Sequence, residues 1–182
     1  MKAAVAVAGA ALALTAATAD AQRASLGCDP ENLGLKTLSD AQRNLVRLRP
    51  KATTIAAINR LARPRPMPTT RATGFQRHVW RVRGQIVEYR LEQDGDVDLA
   101  LYDGKQSYLA ATMPQPRCLS ARTRAREAIV RARARLEGLC GPARPDWRQL
   151  GAVAVVDGVG YWGARHAELR PVTGLRLVAG CA

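Results

Sequence analysis

Between Arg77 and Leu91 the chain alternates with a period of two, and the alternation changes phase midway. His78, Trp80, Val82, Gly84 and Ile86 share one parity, whereas Val87, Tyr89 and Leu91 share the other. Successive side chains of a strand point to opposite faces, so a run that keeps one buried side through such a switch must bend or carry a bulge. Gly84 stands beside the switch and is the residue type such a bend favours. One long bent strand confines the chain to few architectures, because that strand has to serve two differently oriented parts of a sheet.

The following residues supply the partners. Asp94-Gly95 is a hairpin signal, after which Val97, Leu99 and Leu101 alternate with Asp96, Asp98 and Ala100; Asp103-Gly104 then turns the chain into Ser107–Thr112. The first set is expected to face a core and Asp96 and Asp98 to face out. A calcium loop of the EF-hand type is excluded, because counting from Asp94 its glycine and glutamate places hold Leu99 and Lys105. Met113-Pro114-Gln115-Pro116 ends the meander. The spacing then predicts a helix from about Ser120 to Leu139, with Ala121, Ala125, Ala128, Ile129, Ala132, Leu136 and Leu139 on one side and arginines, Arg131, Arg133 and Arg135 among them, on the other. Docking on a core and lying on a membrane surface are both open to such a helix. Two more strands, Ala152–Val156 and Glu168–Val178, flank a glycine-rich loop that includes Tyr161, Trp162, Arg165 and His166.

The expected fold is therefore mainly β with one long helix (α+β). It is a five-stranded OB-fold-like barrel over residues 77–182 whose helix lies between the third and fourth strands. Residues 22–76 form a lead-in: a short helix over Ala41–Leu48 ended by Pro50, another over Thr53–Leu61 capped by Thr54, and an extended connector through Pro64, Pro66 and Pro68.

Residues 1–21 carry a compartment signal. Met1-Lys2 followed by an uncharged apolar run to Ala17, with Ala19-Asp20-Ala21 as a cleavage site, reads as a secretory signal peptide. The run is shorter than the roughly 20 residues a membrane span needs, and no later segment is long and apolar enough, so no transmembrane segment is expected. Export to the periplasm or the medium makes Cys28, Cys118, Cys140 and Cys181 two disulfides; their spacing does not suit zinc. Cys28 also leaves lipidation as an alternative. The formal net charge of +13 would draw anions. The excess is almost all arginine, 24 against four lysines, which a GC-rich genome explains as well as an anionic partner does.

Several ordered motifs carry a resemblance: Leu35-Lys36-Thr37 with Asp40, Thr53-Thr54-Ile55, Glu92-x-Asp94-Gly95-Asp96, Met113-Pro114-x-Pro116-x-Cys118, Gly158-Val159-Gly160-Tyr161-Trp162 and Glu168-Leu169-x-Pro171-Val172. Together they resemble an uncharacterised bacterial family, mostly secreted and OB-like. The resemblance implies fold and export, with no established reaction. Family members commonly carry histidine where this chain has Asp98 and Arg170, so chemistry resting on those histidines is expected to be lost here. In OB-like barrels the third and fifth strands run parallel, which predicts the pairing Cys118–Cys181 and leaves Cys28–Cys140.

The expected function is an exported binding module without catalysis, taking an anionic polymer or another envelope component; no nucleic-acid partner is assigned, and a monomer is expected. OB barrels bind on the second and third strands and the loops beside them, which selects Asp94, Asp96, Asp98, Tyr161, Trp162, Arg165, His166, Glu168 and Arg170. No catalytic residue, cofactor or metal is assigned. Two alternatives are a structural protein of the envelope and a nuclease-like hydrolase holding a divalent cation on Asp96, Asp98 and Glu168.

Overall fold

The computed structural model describes residues 27–181, and the expected signal segment lies outside the described residues. The chain is mainly β. Its strands are β1 (Arg47–Ala52), β2 (His78–Leu91), β3 (Val97–Tyr102), β4 (Tyr108–Met113), β5 (Arg148–Trp162) and β6 (Ala167–Ala179). Among the described residues the α-helices are α1 (Leu33–Thr37), α2 (Ile55–Asn59) and α3 (Arg126–Cys140).

β2 organises the sheet. It pairs antiparallel with β5 from Val79 to Tyr89 and with β3 from Gln85 to Leu91, and both registers shift between Ile86 and Glu88. The bulged residue is Val87, three places beyond the glycine. The bulge keeps Val82 and Ile86 on one side of it, and Tyr89 on the other, in the same core. Gly84 serves a separate purpose. A Cβ there would fall 2.9 Å from the Tyr102 carbonyl oxygen, so glycine lets β2 pass close to the end of β3. From β2 the pairings run through β3, β4, β6 and β5 and return to β2, with β4 and β6 parallel. Leu99, Leu101, Leu109, Val156 and Leu169 fill the interior, each contributing about 1.5–3 kcal/mol by burial.

The expected helix over Ala41–Leu48 is absent. A 3-10 turn (Arg43–Leu45) leads into β1 there, and β1 runs parallel to β2 as an edge strand. Two causes are visible. Asp40 accepts the Gln42 amide on one carboxylate oxygen at 2.9 Å and the Arg71 guanidinium on the other, closing a local turn instead of capping a helix. Pro50, which lacks an amide hydrogen, is tolerated on an edge strand. By contrast α2 begins as expected, the Ala57 amide donating to Thr54 Oγ1 at 3.1 Å.

α3 starts later than its apolar pattern suggests and buries Ile129, Ala132 and Leu136, while Leu139 is exposed. Arg133, expected on the solvated face, is only 7% exposed; it donates to the Gly95 carbonyl at 2.6 Å and to Glu137 at 2.9 Å. The helix is thereby tied to the turn between β2 and β3. Among the described residues no helix is long and apolar enough to cross a membrane.

The disulfides join Cys28 to Cys118 and Cys140 to Cys181, with α-carbons 5.8 and 5.5 Å apart. Both predicted pairings, Cys118–Cys181 and Cys28–Cys140, are therefore corrected. The error lies in register: β4 and β6 do run parallel, but Ala111 near the end of β4 faces Leu169 near the start of β6. β6 continues to Ala179 and carries Cys181 away from Cys118 to the C-terminal end of α3. Peptide mapping of the unreduced protein is expected to recover the Cys28–Cys118 and Cys140–Cys181 peptides; a Cys118–Cys181 peptide would refute this register.

The lead-in is fastened by Arg71, which is 1% exposed. Its guanidinium donates to Asp40 at 3.0 and 2.8 Å and to the Leu35 and Gln76 carbonyls at 3.2 Å each. Burial pulls the guanidinium pKa below its ordinary value, against the pull of Asp40. Arg71→Ala strands a half-buried carboxylate and two carbonyls, and it is expected to cost about 3–5 kcal/mol in chemical denaturation, the range for breaking a buried ion pair.

Candidate binding groove

The outward-facing residues of β3 and β4 are unusually small in the middle. Asp98 lies opposite Thr112, Ala100 opposite Ala110 and Tyr102 opposite Tyr108. The two alanines leave a trough between larger neighbours, and the stacked rings of Tyr102 and Tyr108, 4.7 Å apart, stand beside it. The trough is part of a groove of about 860 Å³, with Ala110 in turn paired to Glu168 of β6. A smaller hollow of about 430 Å³ shares Arg90, Asp98 and Arg170 with it and reaches the turn between β2 and β3.

The loop from β5 to β6 forms another wall. Arg63 donates to the Ala164 carbonyl and, at 3.4 Å, to that of Gly163. Gly163 lies so close to Glu168 that an added Cβ would sit 1.8 Å from Oε1. The loop thus partly covers that carboxylate, and Arg165 and His166 are left exposed along the groove. Across the trough, Trp147 is 44% exposed and carries the Arg90 guanidinium 4.5 Å from its ring centroid. Arg90 also donates to Glu92.

The predicted residues divide into three groups. Asp98, Trp162, Arg165, His166, Glu168 and Arg170 line the large groove, and Asp94 lines the adjoining hollow. Asp96 lines neither. Expected to face out, it is 6% exposed, because its carboxylate accepts the Gln115 amide at 2.7 Å and pairs with Arg170. Tyr161 is buried beside the lead-in rather than in the groove. Trp162 contributes only an edge: it is a core residue, packed 4.9 Å from Phe75 and donating to Thr73 Oγ1 at 3.0 Å. Sequence reasoning missed Arg63, Arg90, Tyr108 and Trp147. Arg90 and Tyr108 sit at outward strand positions and were open to discovery by parity; Arg63 and Trp147 lie in connectors with no local signal.

Three carboxyl groups here are pushed above their ordinary range. Burial raises Asp96, opposed by Arg170 and the Gln115 amide. Burial raises Glu92, and neighbouring Asp98 adds to it. Burial also raises Glu168, with Asp98 adding and Arg170 and Lys36 opposing. Asp98 itself accepts a hydrogen bond from Thr112 Oγ1 at 2.7 Å. Among the described residues no group of three or more His, Cys, Asp or Glu is arranged to hold a metal ion.

The arrangement offers arginines, exposed aromatic rings and partly dehydrated carboxyls around a flat apolar floor, which is equipment for holding a ring-bearing, charged ligand. Comparison with known proteins returns no match, whether to a family model, a curated protein or a solved structure.

Glu168 yields a pH prediction. Its folded value is raised, so the folded state holds the proton more tightly than the unfolded chain does. Its ionisation therefore destabilises the fold at neutral pH; that penalty is relieved as pH falls through the raised value and is gone below the ordinary glutamate range. Glu168→Gln is expected to melt higher than the wild type at neutral pH, with the gap closing in acid; a constant gap across the titration would refute the assignment.

Proposed function

We propose that this protein is an exported, disulfide-stabilised OB-like module that binds an anion-bearing ligand in the groove over β3, β4 and β6, without catalysis. The observation that carries the reading is where the groove lies. β2 to β6 make a meander of three strands, a parallel closure between the third and fifth, and a return of the fourth to the first, which is the layout of a five-stranded barrel. In such barrels ligands bind on the second and third strands, here β3 and β4, between the loops that here join β2 to β3 and β5 to β6. The groove occupies that place, and four arginines line it against two carboxylates, Asp98 and Glu168.

Two further points support it. The resemblance to a secreted bacterial family points to Asp98 and Arg170 as the positions where relatives carry histidine, and both residues line the groove. The hydrolase alternative asks Asp96 to be a free ligand, whereas its oxygens are occupied by the Gln115 amide and Arg170. Export rests on the signal-like first residues and agrees with the two disulfides.

The test is retention on an immobilised acidic polysaccharide at about 0.15 M salt, where surface charges more than about 8 Å apart are screened. Wild type is expected to be retained. Trp147→Ala, checked by melting for an intact fold, is expected to weaken binding by about 1–2 kcal/mol through lost apolar contact with the ring, and Arg165→Ala is expected to elute at lower salt. Passage of the wild type without retention would sink this reading and favour a structural role in the envelope.

A further inference from the structure

The groove and the hollow beside it differ in charge. Besides the three residues they share, the groove is lined by Arg63, Arg165 and His166 against the single carboxylate Glu168, whereas the hollow is lined by Asp29, Glu92 and Asp94. The internal pairs do not erase the difference. In and beside the hollow, Asp29 pairs with Lys36, Glu92 with Arg90 and Asp96 with Arg170, which leaves Asp94 and Asp98 uncompensated. Asp94 lies 3.9 Å from the already engaged Arg170. At the loop end, Arg63 is held by neutral carbonyls, so it and Arg165 together outweigh Glu168. A uniform polyanion laid along the whole track would meet attraction at one end and repulsion at the other.

The floor between the ends narrows the chemistry. At the groove floor β3 is paired on both sides, by β2 and β4, and β4 by β3 and, at Ala110 and Ala111, by β6, so the middle of the floor offers no free strand edge to an extended peptide. What is presented is the alanine pair of the trough, with the partly exposed rings of Trp147 and Tyr108 beside it. Flat apolar patches next to exposed aromatic rings suit the C–H faces of sugar rings.

We infer that the ligand is a zwitterionic glycan, with its carboxylate at the Arg63–Arg165 end and a free ammonium at the Asp94 end. This rests on the groove being the binding site and goes beyond it by fixing the ligand's polarity.

A matched pair of probes tests it: a uronate–glucosamine oligosaccharide with free amines and the same oligosaccharide fully N-acetylated, titrated calorimetrically into the purified protein at mildly acidic pH, where the sugar amines carry their protons and the uronates are ionised. The free-amine form is expected to bind roughly tenfold more tightly, equivalent to ~1.4 kcal/mol. The double variant Glu92→Gln/Asp94→Asn, which keeps the Asp94 oxygen that accepts the Asp96 amide, is expected to lose that preference, with the acetylated form bound no more weakly than by the wild type because two carboxylates that repel its uronates are gone. Equal or tighter binding of the acetylated form, or a preference that survives the double variant, overturns the inference. Binding of neither probe while the acidic polysaccharide is still retained overturns the inference alone; loss of all three overturns the groove as a binding site and the inference with it.

Discussion

The extra residue in β2 is the constraint on which the rest of this structure depends. Val87 shifts the register against β3 and β5 together, so the strand changes which parity faces inward without leaving the core. A straight strand of the same length would have turned either Val82 and Ile86 or Tyr89 to solvent. Because the bend lets β2 serve both β5 and β3, the pairings can return to their start. The outer face of β3 and β4 then comes to lie between the two loops that bound the groove.

Arginine acts here in two ways that composition does not separate. Arg71, Arg124 and Arg133 hold parts of the chain together. Arg124 donates to the carbonyls of Arg43, Asn44 and Val46, Arg71 joins the lead-in to the segment before β2, and Arg133 joins α3 to the turn after it. Arg71 and Arg124 each meet two or more carbonyl oxygens, and Arg133 meets one carbonyl and the Glu137 carboxylate, which a planar guanidinium can do and a lysine ammonium does less well. Arg63, Arg90, Arg165 and Arg170 instead face the groove. The excess of arginine over lysine therefore reflects internal scaffolding as well as surface charge.

The carboxyls around the groove are held at a cost. Asp96, Glu92 and Glu168 are all pushed up by burial, and in each case a nearby arginine offsets part of that penalty. A fold gains nothing from dehydrating carboxylates unless their placement serves something else. Asp96 serves the structure by clamping β6 to the turn before β3 through Arg170, and by accepting the Gln115 amide after β4. Glu168 makes no comparably close pair; the imidazole of His166 lies 3.8 Å away and is half exposed.

Much of the architecture was legible in the chain, because burial on one side of a strand imposes a period of two and turns demand particular residues. The phase change across Gly84–Val87, the turns at Asp94-Gly95 and Asp103-Gly104, and the inward set Val97, Leu99 and Leu101 followed from those rules alone. Residues distant in sequence were a different matter. The parallel run of β4 and β6 was anticipated but its register was not, and register decided that Cys181 meets Cys140. Local pattern also could not tell that Asp40 would be claimed by Arg71, that Asp96 would be drawn inside by Arg170, or that Arg63 and Trp147 would arrive at the same groove. The sequence by itself determined which faces are apolar and where the chain turns, since those depend on neighbours within a few residues. Only the tertiary structure decided which charges meet, because an ion pair is set by distance in space and is indifferent to separation along the chain.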